Sequence, residues 1–141
     1  MNNDRQIGGK AAGLEALVAA GATVPSFVVV DGASFRQHLQ RCGLSALIER
    51  ALADLRPDQD DLVSAAERVG DEIRAALLAT SLGEGLREHL GELLEQLGEG
   101  PLAVRSSMLG EDSAGASFAG QLESFLYCRG LDEVEHALLG C

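Results

Sequence analysis

Lysine is nearly missing from this 141-residue chain: ten of its eleven basic residues are arginine, and Lys10 is the only lysine. Set against 22 acidic residues, this leaves a formal charge of -11. Such a balance excludes a broad basic surface that could exchange for counterions on nucleic acid or an anionic membrane. An anionic ligand would need a local device to hold it. Tryptophan is absent and aromatics make up 4%, so the core must be aliphatic, built from Leu, Val and Ala. Cysteine is confined to Cys42, Cys128 and Cys141, an odd number without a C-x-x-C pair. That pattern argues against a disulfide framework or a structural zinc site and fits reduced thiols in a cytoplasmic protein. No apolar run approaches the roughly 20 residues that cross a bilayer, and the polar start, Met1 to Gln6, has no export pattern.

What is present reads as one α/β domain with a helix-rich middle between two ends that carry glycines and short strands. From Lys10 to Ala20, Leu14, Leu17 and Val18 follow helical spacing, and Gly21 suits a left-handed cap. Phe27-Val28-Val29-Val30 is a β-branched run that predicts a buried strand. Asp31 or Ser34 can cap a helix running to about Cys42, and Ser45 to Leu55 predicts another, stopped by Pro57. Asp58 is placed to cap a long helix with Leu62, Ala66, Val69, Ile73 and Leu77 on one face. Leu86, Leu90, Leu93, Leu94 and Leu97 repeat the pattern up to Gly98. Leu102-Ala103-Val104 predicts a strand, Phe118 to Tyr127 an extended segment, and Asp132 the cap of a last helix.

Three segments carry chemistry. Gly8-Gly9-Lys10 lies at a helix start, where unpaired N-H groups and the helix dipole favour an anion. It is not the common P-loop, because Asp4 stands at the first glycine position and Ala11 replaces the magnesium-binding Ser or Thr. Val104-Arg105-Ser106-Ser107 puts a guanidinium, which can fork onto two phosphate oxygens, at a strand end. Ser117 to Ser124 is small and polar around Gly120, which suits a loop closing over phosphates through backbone N-H groups. Each segment alone also admits an ordinary reading. These are a helix entry with a solvated lysine, an arginine paired with Glu111 or Asp112, and a bulge or hairpin at Gly120.

Together, in this order, the segments resemble the N-terminal nucleotide-binding domain shared by phosphoenolpyruvate synthase, pyruvate phosphate dikinase and rifampin phosphotransferase. The matching residues are Gly8 to Gly13, Val24 to Val29, Val104 to Ser107, Glu111-Asp112 and Ser117 to Gln121. The resemblance implies the first lobe of an ATP-grasp-like fold, with ATP held between two lobes. It also implies nucleotide-binding roles for Lys10, Arg105, Gly120, Ser124 and Phe125. In the pattern, Ser26 stands where glycine is usual, Met108-Leu109-Gly110 replaces Ala-Thr-Ala, and Ser124 replaces threonine with its hydroxyl kept.

The resemblance further implies a dikinase-type phosphotransferase in which phosphate from ATP passes through a histidine on another domain to pyruvate, an antibiotic or a similar acceptor. Residues 1-141 would then be a partial domain. The second lobe with its Mg2+ ligands, the phosphohistidine domain and the acceptor domain would lie elsewhere. No catalytic residue and no metal ligand is assigned within the chain. His38, His89 and His136 fall inside predicted helices and are read as exposed. The expected partners are ATP and the rest of the enzyme or a complementary subunit of a split dikinase, with a homo-oligomer as a further arrangement. The competing expectation is a non-catalytic binding or regulatory domain that keeps the fold.

Overall fold

A computed structural model describes residues 7-107 and 123-141. The chain is a helix-rich α/β domain with six helices and one two-stranded sheet among these residues: α1 (Gly9–Ala19), α2 (Gly32–Arg41), α3 (Leu44–Ala53), α4 (Leu62–Leu78), α5 (Glu84–Leu97), β1 (Leu102–Arg105), β2 (Ser124–Cys128) and α6 (Gly130–Gly140).

Local signals set most boundaries. Past α1, Gly21 adopts φ +80, with Gly21 N-H donating to Val18 O at 2.9 Å and Ala22 N-H to Leu17 O at 3.0 Å. These are the paired bonds of a Schellman cap. Asp31 caps α2, its Oδ1 accepting from Ser34 N-H at 2.9 Å. Gly98, at φ +80, closes α5. Two predicted caps are corrected. Asp58 lies in a turn ahead of α4, which starts after Asp61. Asp132 lies in the first turn of α6, which begins at Gly130, and Glu133 reaches back to accept from Arg129 N-H at 2.8 Å.

β1 and β2 run antiparallel, with Val104 opposite Phe125 and Arg105 opposite Ser124. The register slips between Leu102 and Val104, so β2 holds one extra residue. Tyr127 sits in that bulge at φ +64, the one described non-glycine residue with positive φ. Phe27–Val30 forms no strand, contrary to the sequence expectation. Strand propensity needs a ladder partner to be realised. None of the described residues pairs with this run, and it serves instead as a half-buried apolar wall.

The core lies where α5 and α6 pack on one face of the sheet. Leu82, Leu90, Cys128, Val134 and Ala137 are buried there, and Val30, Leu102, Val104 and Phe125 pack against them. It is aliphatic, as the composition requires. A buried carboxylate ties its parts together. Glu135 on α6 accepts from Leu82 N-H at 2.8 Å and pairs with Arg87 of α5, which also reaches Asp132.

His38 corrects the expectation of an exposed helical histidine, being only 3% exposed. Thr80 donates its hydroxyl proton to Leu77 O at 2.7 Å, so it must accept from His38 Nε2-H at 3.0 Å. Nδ1 is therefore the unprotonated nitrogen, and it faces the Arg41 guanidinium at 3.4 Å. This bond fixes α2 to the segment between α4 and α5. Burial, and then the Arg41 charge, lower the His38 pKa. His89 and His136 are exposed, as expected.

Candidate functional site

The outer helix α1 makes no substantial packing contact with another described helix or strand, and Leu17 and Val18 on it are about half exposed. It is held at its N-terminal turn. Ala11 N-H donates to Ser107 Oγ at 3.0 Å across 96 residues of sequence. The hydroxyl thus satisfies one of the donors that a helix start leaves unpaired. Gly8 lies against the Ser107 backbone so closely that a Cβ there would overlap the Ser107 carbonyl and stand 2.6 Å from its Oγ. At φ -78 and ψ 172, Gly8 has a backbone that any residue can adopt. The requirement for glycine is therefore steric. Its bare backbone meets Ser107, so this glycine is needed for contact within the protein.

The consequence is that two of the three segments singled out in sequence, remote along the chain, form one corner. Ile7, Gly8, Lys10, Arg105 and Ser107 line a common groove of about 1300 Å3. One wall is Pro25 to Val30. Leu90, Leu94 and Leu97 of α5, Leu102 and Val104 of β1, and Val134 and Leu138 of α6 supply apolar surface. The groove thus has a cationic, glycine-bearing corner and a broad apolar lining, a combination suited to a ligand with an anionic end and an uncharged body.

The other predicted site residues are placed differently. Gly120 lies outside the described residues, as do Glu111 and Asp112. Ser124 is exposed and sits opposite Arg105 in the ladder. Phe125 packs into the core with its ring against Gly140, where an added Cβ would come within 2.7 Å of the ring. Neither Ser124 nor Phe125 lines the groove.

A third cation was not singled out by sequence. Arg36 of α2 lines the groove together with Lys10 and Arg105. It follows Gly32-Ala33-Ser34-Phe35 in a helix without motif spacing, so no sequence pattern marked it. No acidic residue is among the described groove-lining residues. Among the described residues, no group of three or more His, Cys, Asp or Glu could hold a metal. No described helix is long and apolar enough to cross a membrane.

Comparison with known proteins agrees with this chemistry. Residues 4–141 match the family described as pyruvate phosphate dikinase, AMP/ATP-binding domain. Phosphoenolpyruvate synthase of Neisseria meningitidis is 36% identical over 98% of the chain, and that of Escherichia coli 33% over 95%. In each case the matched stretch is 18% of the relative's length. The prodigiosin synthesizing transferase PigC of Serratia marcescens is 34% identical over 96% of the chain, a stretch that is 14% of that protein. The chain therefore spans less than a fifth of these relatives' lengths. With the family matched over nearly its whole length, the chain belongs to the pyruvate phosphate dikinase AMP/ATP-binding domain family.

Proposed function

We propose that this chain is the first-lobe, ATP-binding portion of a dikinase-type phosphotransferase with an ATP-grasp-like fold. In this reading ATP lies in the groove with its phosphates at the Lys10 and Arg105 corner and its base and sugar toward the apolar walls. Lys10 neutralises phosphate charge as a mobile point charge, and Arg105 through its planar fork. By the resemblance, Gly120, Ser124 and Phe125 are further nucleotide contacts; the Phe125 ring packs in the core, so its contact would come from the backbone. The chain binds and positions. The Mg2+ ligands and the histidine that carries the phosphoryl group belong to other parts of the enzyme or to a complementary subunit, as does recognition of the acceptor.

The observation that supports this most is the clasp between Gly8 and Ser107, which puts the only lysine and Arg105 on one groove in a chain of charge -11. Titration of ATP into the chain, followed by NMR chemical shifts, tests it. Saturable shifts at groove residues are expected, and a Lys10→Ala, Arg105→Ala double variant should bind at least about tenfold more weakly from loss of two charge-assisted contacts. Equal binding by both proteins would remove the phosphate-site reading. Absence of binding by either would favour a non-catalytic domain that keeps the fold.

A further inference from the structure

We infer that α1 is a movable wall of the groove, a lid that swings about its clasped N-terminal turn and docks Leu14 and Leu17 against Leu94 and Leu97 of α5 when nucleotide is bound. The inference rests on the ATP-site reading above and adds a conformational step to it.

Three observations carry it. First, α1 is anchored at one end. Ala11 is its one buried residue, and the bond from Ala11 N-H to Ser107 Oγ holds the first turn. Beyond that turn α1 makes no substantial contact with another described helix or strand. Of residues 12-19 Leu14 alone is half-buried, and the others are exposed. At the far end Gly21, at φ +80, leads into the exposed Ala22 and Thr23. Second, α1 has little stability of its own. Its 11 residues fall short of the roughly 12–15 at which an isolated helix is marginal in water, and Gly13 weakens its middle. A helix of this kind is stabilised by packing its apolar face, and an element with few buried contacts opens locally at small free-energy cost. Third, a face to pack against lies across the groove. Leu14 and Leu17, three residues apart and so on one side of α1, line the same space as Leu94 and Leu97 of α5. Leu17 is 49% exposed, so about half of its surface remains to be buried. The volume of about 1300 Å3 is larger than the ~300–1,000 Å3 of sites that enclose a small ligand. Inward movement of α1 brings the groove to that scale and expels water from it.

A nucleotide between the two walls touches both of them only in the docked form. That differential contact shifts the equilibrium toward closure.

The test is amide hydrogen exchange of the full chain, with and without saturating ATP, read at residues 16-19, away from the clasped turn, and at residues 90-97 of α5. In the free chain residues 16-19 should exchange at least about tenfold faster than residues 90-97, and ATP should slow residues 16-19 by about tenfold or more. Leu17→Ala keeps helix propensity but removes the docking side chain, so it should abolish most of that slowing and weaken ATP binding about threefold or more. Val18→Ala is the control, because Val18 is equally exposed but does not line the groove. It should behave as the unsubstituted chain, and circular dichroism reports that both variants keep the fold. Residues 16-19 as protected as α5 in the free chain would refute the lid, because α1 would already be docked. Saturable ATP binding without slowing of residues 16-19 would also refute it and leave the ATP site standing. Equal loss in Leu17→Ala and Val18→Ala would refute it as well, since the effect would then come from the helix as a whole. No saturable binding by the unsubstituted chain removes the ATP-site reading and this inference with it.

Discussion

Replacing Gly8 with alanine gives a stability change whose sign depends on whether the clasp forms. At φ -78 and ψ 172, an alanine fits the backbone without strain. In a chain where α1 began in solvent, Gly8→Ala would stabilise the protein by about 0.4–1 kcal/mol by narrowing the unfolded ensemble. In this structure the new Cβ overlaps the Ser107 carbonyl. The helix start must then withdraw, breaking the 3.0 Å bond from Ala11 N-H to Ser107 Oγ and exposing Ala11, which is 6% exposed. Loss of a capping acceptor costs about 1 kcal/mol, and the steric conflict adds about 1–3 kcal/mol. The net expectation is a destabilisation of about 2 kcal/mol, or a fall in Tm of several degrees for a domain of this size. Ser107→Ala removes only the acceptor and should cost about 1 kcal/mol, while Ser107→Thr, which keeps the hydroxyl, should cost less. Gly13→Ala is the control, because nothing lies within 4 Å of its added Cβ inside α1. It should stabilise by about 0.5–1 kcal/mol. Thermal and urea unfolding followed by circular dichroism measure all four. If Gly8→Ala raises stability as Gly13→Ala does, the clasp does not form and the corner it builds loses its support.

Three further outcomes follow from the packing. His38 has a lowered pKa in the folded chain, so below about pH 6.5 the unfolded chain takes up the proton first. Stability should therefore fall as pH drops below about 6.5, and urea midpoints there should lose much of this slope in His38→Asn; an unchanged slope would assign the effect to other groups. Arg87→Ala leaves the buried Glu135 carboxylate without its cation and should cost about 3 kcal/mol in urea unfolding, more than Arg68→Ala at the exposed Arg68–Asp61 pair. Tyr127, 77% exposed in a left-handed bulge, pays for its side chain in backbone strain, so Tyr127→Gly should raise stability by up to about 1 kcal/mol in thermal unfolding.

The helices were legible in the chain because their determinants are local. Leucines at three- and four-residue spacing marked the inner face of α5, Gly21 and Gly98 marked helix ends, and Asp31 marked a start. The short apolar run Leu102-Ala103-Val104 marked β1, whose Leu102 and Val104 pack against the core. Composition fixed an aliphatic core, and the motif order pointed to the nucleotide-binding family that the whole-length match then established. Where a feature depended on a partner far along the chain, sequence reading reached its limit. Phe27–Val30 has the residues of a strand but no ladder partner among the described residues. His38 was read as an exposed helical histidine, yet it is buried, with Thr80, 42 residues on, accepting its Nε2-H hydrogen bond. Gly8 and Ser107 were each visible as small residues near a possible anion site, but they meet only because the chain folds back, as in the bond from Ala11 to Ser107 across 96 residues. Local spacing encodes a periodic face because neighbours on a helix or strand are set by backbone geometry. The meeting of Lys10, Arg36 and Arg105 on one groove depends on how those elements pack, which only the tertiary structure decides.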